Sequence, residues 1–94
     1  MKVIWSALAK EYYIFIIEQL FEKWNIDIVE IFEKETIELI HRIENHNHIC
    51  PKSKIVNLHK CVINAPISLI YRIQKGTIEI ITLFLTNRSI YIKE

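Results

Sequence analysis

The chain has 94 residues, one glycine, two prolines and a hydrophobic share of 51%, and its formal net charge is +1. This length allows one domain, residues 1–94, with a single core, and the composition excludes a long linker or a low-complexity segment. The apolar runs are far shorter than a membrane span, and the N-terminus lacks the pattern of a signal peptide. We therefore expect a cytoplasmic protein without membrane contact, in which Cys50 and Cys61 are reduced thiols.

The N-terminal residues predict a strand followed by a helix. Residues 3–5 are β-branched and aromatic, and Ser6 directly after them is a good N-cap. From residue 7 to about residue 24 the chain has no Gly or Pro, and apolar residues recur at three- and four-residue spacing. The predicted buried stripe of this helix comprises Leu8, Tyr12, Phe15, Ile16 and Leu20.

A second helix is predicted next, with Asp27 as its expected N-cap. The helical pattern weakens at Asn45 and Asn47, and Pro51 prevents any continuation. The predicted buried stripe of this helix comprises Ile28, Phe32, Leu39, Ile40 and Ile43.

Beyond Pro51 the pattern changes to alternation, and β-branched residues dominate residues 61–64, 67–73 and 77–86, which predicts three strands. The only glycine, Gly76, suits a tight turn between the last two. The order β-α-α-β-β-β predicts an α+β fold, with a helical hairpin packed on an antiparallel sheet. The sheet face under the helices is expected to consist of Ile67, Leu69, Tyr71, Ile73, Ile78, Ile80 and Phe84.

The charges are distributed unevenly along the chain. Residues 1–48 hold five Lys or Arg and nine Asp or Glu, a net charge of −4, whereas residues 49–94 hold seven and two, a net charge of +5. A basic half can face a polyanion, although a solvated strand surface accounts for this distribution equally well.

The stretch HNHICPKSK, residues 46–54, raises the question of a metal site. His46, His48 and Cys50 alternate, and His59 and Cys61 follow with the same spacing, so four zinc ligands are conceivable. Zinc ligands usually come in pairs separated by two or more residues, which His-x-His-x-Cys does not offer. We interpret the stretch as the end of the helix and a polar loop, and we expect no metal there.

Several motifs occur along the chain in a fixed order. They are VIWSALAKEYY at residues 3–13, Trp24, Phe32, Pro51, and ISLIYRIQKGTIEIITLFLTNRS at residues 67–89. Together they resemble the RelE/ParE superfamily of bacterial toxins over nearly the whole chain. The resemblance implies the same β-α-α-β-β-β fold and a cognate antitoxin encoded by a neighbouring gene.

Members of the two branches of this family act differently. ParE-like members poison DNA gyrase, whereas RelE-like members enter the ribosomal A site and cleave mRNA by attack of the ribose 2′-OH on the adjacent phosphate. The resemblance is closer to the ParE-like branch, and we expect a growth inhibitor directed at DNA gyrase. The alternatives are a ribosome-dependent mRNA endoribonuclease, which would be an enzyme, and a decayed toxin that acts only as a binding module. No cofactor is implied.

The family resemblance also indicates residues that could meet the target. Arg88 matches the arginine that ends the last strand in both branches, and with His59 it is the candidate catalytic residue of a nuclease. The other positions where RelE-like members carry basic residues hold Ser68 and Cys61 here, which argues against efficient cleavage.

Each of these residues also has an ordinary structural interpretation. His59 could be a surface imidazole, and Arg88 could form a salt bridge to an acid of the helical hairpin. The candidate target-binding residues are Lys60, Arg72 and Arg88, of which the first two have the alternative interpretation of solvent-facing strand residues.

The stretch YYIFII, residues 12–17, predicts a partner surface. Six consecutive large apolar residues cover more than one helical turn, whereas packing on the sheet can bury only one stripe. Some of Tyr13, Ile14 and Ile17 are therefore expected to form an exposed apolar patch. Its expected occupant is the antitoxin or a second copy of the chain, which would give a hetero-oligomer or a homodimer.

Overall fold

The computed structural model describes residues 1–54 and 56–85. The elements follow the predicted order β-α-α-β-β-β, which confirms the α+β class. The single-domain boundary at residues 1–94 stays a prediction, because residues 86–94 lie outside this description. The elements are β1 Lys2–Trp5, α1 Ala7–Lys23, α2 Ile26–Asn45, β2 His59–Asn64, β3 Ile67–Gln74 and β4 Thr77–Leu85.

Ser6 connects the start of α1 to the sheet. Its hydroxyl oxygen accepts from the Ala9 amide at 2.9 Å, which confirms the predicted N-cap. The same hydroxyl donates to the Ile81 carbonyl at 2.7 Å, and the Ser6 amide donates to the Ile80 carbonyl at 3.0 Å. One residue thus fixes α1 against β4.

The N-cap of α2 is Asn25, and the prediction of Asp27 was wrong. The Asn25 side-chain oxygen accepts from the Ile28 amide at 3.1 Å. Asp27 lies inside the first turn, where its carboxylate is favourable near the positive end of the helix dipole. At the other end, the side-chain amide of Asn47 donates to the Ile43 carbonyl at 2.8 Å, and α2 ends at Asn45.

The sheet is mixed, and its strand order is β1-β4-β3-β2. The β2–β3 and β3–β4 pairs are antiparallel, as predicted, but β1 runs parallel to β4, with Val3 opposite Ile78. After α2 the chain runs antiparallel to β2 before it turns into that strand, with a bridge between Lys52 and His59, and β1 lies at the edge of the sheet next to β4. Gly76 has a φ of 69° in the two-residue turn before β4, as its predicted role in a tight turn requires.

A bulge in β4 changes which residues face the helices. Ile70 pairs with Thr82 but Tyr71 pairs with Ile80, so Ile81 is an extra residue on β4. The alternation therefore shifts, and Leu83 is buried in the core where Phe84 was predicted. The other buried members of this sheet face are Ile67, Leu69, Tyr71, Ile78 and Ile80, all of which were predicted.

The buried line of α1 lies one residue away from the predicted one. Its buried residues are Ala9, Ile16 and Leu20, and the prediction was right for the last two. Leu8, Tyr12 and Phe15, which were predicted to be buried, are each more than 40% exposed. One residue corresponds to about 100° of rotation, and Ala9 is small enough to let the helix approach β4 closely.

Cys50 and Cys61 form a disulfide, so the prediction of two reduced thiols was wrong. Their Cα atoms lie 5.4 Å apart, a usual separation for this bond. The Lys60 amide donates to the Pro51 carbonyl at 3.1 Å, which lays the segment after α2 alongside β2 and brings the two cysteines together. They are 11 positions apart in the sequence, a spacing that gave no sign of the pairing.

Within the described residues, neither α1 nor α2 is long and apolar enough to cross a membrane. The cytoplasmic location stays a prediction.

Candidate functional site

The outer face of the sheet, opposite the helices, carries two of the three predicted target-binding residues. Lys60 on β2 pairs with Ile70, and Arg72 follows two positions later on β3, so these side chains share one face. Tyr71 points to the opposite face and is fully buried. Arg88, the third predicted target-binding residue, lies outside the described residues.

Arg72 forms an ion pair on this face. Its guanidinium nitrogen donates to the carboxylate of Glu79, its cross-strand partner, at 2.6 Å. The two side chains are 40% and 29% exposed, so the pair is accessible to solvent and to a binding partner. Glu79 therefore largely neutralises the positive charge of Arg72. An anionic target would compete with Glu79 for the guanidinium group.

Lys60 is exposed and lies over an aromatic ring. Its ammonium nitrogen is 5.6 Å from the ring centroid of Phe84, a cation–π distance. The bulge in β4 places Phe84 on this outer face, and its ring orients the lysine. Within the described residues, no carboxylate lies at salt-bridge distance from Lys60, whereas Arg72 is paired with Glu79.

His59, the predicted catalytic residue of a nuclease, is buried. Only 2% of its surface is exposed, so the interpretation as a surface imidazole was wrong. Its Nδ1 lies 2.8 Å from the Cys50 carbonyl oxygen, and because a carbonyl only accepts, Nδ1 carries the proton. Its ring stacks on Tyr71, with centroids 4.7 Å apart, and its Nε2 is buried without a hydrogen-bond partner. In this arrangement neither ring nitrogen is open to a substrate.

Tyr71, on which His59 stacks, is fixed by a hydrogen bond. Its hydroxyl donates to the Asn47 carbonyl at 2.7 Å. Burial raises the pKa of Tyr71 above its ordinary value. We call this group of residues the α2–β2 corner; its members are His48, Cys50, His59, Cys61 and Tyr71.

The α2–β2 corner brings together the histidines and cysteines that raised the question of a zinc site. The rings of His48 and His59 meet edge to face, with centroids 5.5 Å apart. The sulfur atoms of Cys50 and Cys61 are bonded to each other, so neither is a thiolate ligand. Among the described residues, no group of three or more His, Cys, Asp or Glu could hold a metal ion. The absence of a metal stays a prediction.

The remaining positions at which a RelE-like nuclease would carry cations are also closed to a substrate. Ser68 is 4% exposed and Cys61 is 2% exposed, and the sulfur of Cys61 is bonded to that of Cys50. These two positions and His59 therefore present no positive charge on the described surface.

Of the three predicted partner-binding residues, one belongs to the exposed residues of the fold. Ile14 is 57% exposed on the outer side of α1. Tyr13 is half-buried between the rings of Trp5 and Phe32, each with its centroid 5.3 Å away, and Ile17 packs against the core. Burial, and to a lesser extent the carboxylate of Glu33, raises the pKa of Tyr13.

Ile14 and Tyr13 line a recess between the two helices, which we call the helix groove. Its volume is about 360 Å³ and its lining is almost entirely apolar. The residues of the helix groove are Trp5, Lys10, Tyr13, Ile14, Thr36, Ile37 and Ile40.

No protein-family model matches the sequence, and no curated protein matches it at a significant level. Solved structures do match. A chain of the chromosomal ParDE TA system from P. aeruginosa superposes with a TM-score of 0.78 over 92% of this chain and 96% of that one, at 13% sequence identity. The chain has the RelE/ParE toxin fold. Two YoeB structures from Staphylococcus aureus agree: the YoeB dimer, at 19% identity with a TM-score of 0.63, and the YoeB–YefM complex, at 20% with 0.61, each covering 89% of this chain and 94% of the other.

On this RelE/ParE fold, the uneven charge of the sequence becomes an uneven charge in space. All nine acidic residues of the first half lie on α1 and α2, whereas Lys52, Lys54, Lys60, Arg72 and Lys75 lie on the strands and their connections. The helical layer is therefore the acidic side of the molecule. The sheet and its loops form the basic side, as a surface for a polyanion requires.

Sequence reasoning missed two apolar surfaces of this RelE/ParE fold. One is the exposed stripe of Leu8, Tyr12 and Phe15, in which the two rings meet edge to face at 6.2 Å. The other, which we call the end groove, has a volume of about 430 Å³ and lies where the helical hairpin meets the β2–β3 turn. The exposed Trp24 and Ile31 were its signal in the sequence. The residues of the end groove are Leu20, Trp24, Ile28, Ile31, Phe32, Glu35, Asn64, Ala65, Pro66 and Ile67.

Proposed function

We propose that this chain is the toxin of a type II toxin–antitoxin module, a growth inhibitor neutralised by a cognate antitoxin. The observation that carries the proposal is the superposition on a chain of the ParDE TA system, which includes 92% of this chain. The YoeB–YefM complex is a second toxin–antitoxin system with the same fold. The family motifs and the superposition both cover nearly the whole chain. This agreement supports a single function that involves the whole chain.

We propose DNA gyrase as the target, as for ParE-like toxins. The superposition on the ParDE chain, with a TM-score of 0.78, is better than that on the YoeB chains, at 0.61 to 0.63. A binding inhibitor needs affinity and steering, which the positive charges of Lys60, Arg72 and Arg88 can contribute without aligned chemistry.

The alternative is ribosome-dependent mRNA cleavage, which we consider because the chain also superposes on YoeB structures. That reaction requires cations placed around the phosphorane, and loss of one such donor costs on the order of a hundredfold or more in rate. His59, Cys61 and Ser68 are all buried, so Arg88 would have to act with little help. The same surfaces would serve a decayed toxin that only binds. Neither ParE-like inhibition nor binding alone requires a cofactor.

The helix groove is the proposed site of the antitoxin. Ile14 stands at its rim and Tyr13 forms its floor, so an apolar side chain of the antitoxin can be buried against both. The acidic helices around the groove favour a segment with basic residues. A homodimer through this face is the alternative assembly, and the YoeB dimer shows that a protein of this fold can self-associate.

Induced expression in the cytoplasm of a bacterial host tests the module. We expect growth arrest when the chain is expressed alone and recovery when the neighbouring small gene is expressed with it. Normal growth of cells that contain the folded chain would refute the toxin proposal.

A second experiment separates the two targets. Wild-type protein is incubated with translating ribosomes and, separately, with DNA gyrase and supercoiled DNA. We expect intact mRNA, inhibited gyrase, and loss of that inhibition in Arg88→Ala but not in the control Lys34→Ala, which changes an exposed residue of α2. Primer extension showing cuts in the A site codon that Arg88→Ala abolishes would identify the nuclease instead.

A further inference from the structure

The two ends of the Cys50–Cys61 disulfide differ in access. Cys61 lies in the middle of β2 and is 2% exposed, with its side chain among the core residues. Cys50 is half-buried on the segment after α2, and its neighbours Ile49 and Pro51 are exposed. The Cys50 end of the disulfide is therefore the more accessible to a thiolate from solution.

The described residues of the segment after α2, residues 46–54 and 56–58, are joined to the sheet by this disulfide and by hydrogen bonds. Three carbonyls of the segment accept hydrogen bonds from the sheet: Asn47 from Tyr71, Cys50 from His59, and Pro51 from Lys60. Among these described residues, Cys50 is the one that packs against the core, whereas Ile49 and Val56 are 42% and 49% exposed.

None of the described residues of the segment belongs to the fully buried core. Apart from Cys61, the buried apolar residues belong to α1, α2, β3 and β4. Opening the disulfide would therefore loosen the segment while leaving the packing between the helices and the sheet in place.

We propose that the Cys50–Cys61 disulfide is a reversible redox site whose reductant is a dithiol, and that it locks and releases residues 46–58. A thiolate of the dithiol attacks Cys50 Sγ, and the S–S bond breaks with Cys61 as the leaving thiolate, which takes up a proton. The second thiol of the reductant then attacks the mixed disulfide. The protein ends with two thiols, and the dithiol ends as its own disulfide.

A change in the redox state of the disulfide would affect the outer face of the sheet through one backbone hydrogen bond. The Lys60 amide is bound to the Pro51 carbonyl, the residue directly after Cys50, so release of the segment frees one side of the strand that carries Lys60. An effect on target binding rests on the proposed function. The redox chemistry does not, because it is measured on the purified protein without any target.

The test uses wild-type protein under native conditions. Reduction by dithiothreitol is followed by mass spectrometry, and hydrogen exchange is compared for the oxidised and reduced forms. We expect full reduction without denaturant, and a larger increase of exchange in residues 46–61 than in α1. A mixed disulfide trapped with glutathione should be on Cys50.

Two matched variants test the direction of attack. Cys61→Ser leaves Cys50 free and Cys50→Ser leaves Cys61 free, and each is alkylated with iodoacetamide while folded. We expect Cys50 to react at least about tenfold faster, because only the thiolate that solvent reaches is alkylated. Reduction that occurs only on global unfolding, equal exchange in both forms, or a mixed disulfide on Cys61 would overturn the proposal; the first two readouts need no variant.

Discussion

The imidazole of His59 lies parallel to the phenol ring of Tyr71, with 4.7 Å between the ring centroids and 8° between the planes. Both residues are buried and pair directly across β2 and β3. We expect His59→Ala to lower the free energy of unfolding by about 3 kcal/mol, because it leaves a cavity and removes the donor that satisfies the Cys50 carbonyl.

Urea denaturation measures this effect, with His48→Ala as the control. The ring of His48 is exposed and meets only the edge of His59, so its loss should change stability by about 0.5 kcal/mol. Equal effects in the two variants would contradict the structural role of His59. Loss of toxicity in His59→Ala would then have to be judged against its stability before any catalytic role is assigned.

Tyr71, which is buried, and Tyr13, which is half-buried, predict that stability falls in alkaline solution. Burial raises the pKa values of Tyr71 and Tyr13 above 10.0, so the folded chain holds these protons more tightly than the unfolded chain. Their contribution is complete below pH 10 and is lost as the pH rises through the folded pKa values. Denaturation curves between about pH 8 and pH 11 should show the fall, and Tyr71→Phe should make it less steep. An equally steep fall in Tyr71→Phe would assign it to other groups.

The disulfide predicts a large effect on global stability. Closing a loop of this size limits the unfolded chain, and we expect the double variant Cys50→Ser, Cys61→Ser to be less stable by about 3 kcal/mol. Thermal unfolding with and without dithiothreitol measures it. The reductant should lower the unfolding temperature of the wild type and leave that of the double variant unchanged.

The order of the elements could be predicted from local signals that the structure keeps. Ser6 caps α1, Pro51 follows the end of α2, and Gly76 has the positive φ that its turn requires. Each of these residues acts through its own backbone or its nearest neighbours. Such signals are present in the sequence itself.

The features that were missed depend on contacts between distant parts of the chain. In residues 12–17 every position is apolar, so only packing against β4 selects Ile16 over Phe15 for the core. The bulge at Ile81 and the pairing of Cys50 with Cys61 arise from strand registers that no short window contains. The same shift of α1 decides which part of the predicted partner surface is exposed.

The ion pair between Arg72 and Glu79 predicts opposite effects of two substitutions on target binding. If the outer face of the sheet meets an anionic target, Glu79→Gln frees the charge of Arg72 and should increase affinity a few-fold, whereas Arg72→Gln should decrease it. The pair is partly exposed, so each change should alter stability by less than about 1 kcal/mol.

Binding to the identified target at two salt concentrations measures this difference. Lys34→Gln, at an exposed position of α2, is the control and should have little effect. Equal losses in the two variants would mean that the pair only supports the sheet.

Ile14 predicts where the antitoxin binds. It is 57% exposed at the rim of the helix groove, and Ile31, 53% exposed at the end groove, is its matched control. A buried charge without a partner costs more than the apolar contact it replaces, so we expect Ile14→Glu to weaken antitoxin binding at least about tenfold. Isothermal titration with the purified antitoxin measures both variants, after circular dichroism has shown that each is folded.

Because the two residues are similarly exposed and equally apolar, a general effect of the new charge would appear in both. A larger loss in Ile31→Glu would move the antitoxin to the end groove, and unchanged binding in Ile14→Glu together with a monomeric wild-type protein would exclude the helix groove as a partner surface.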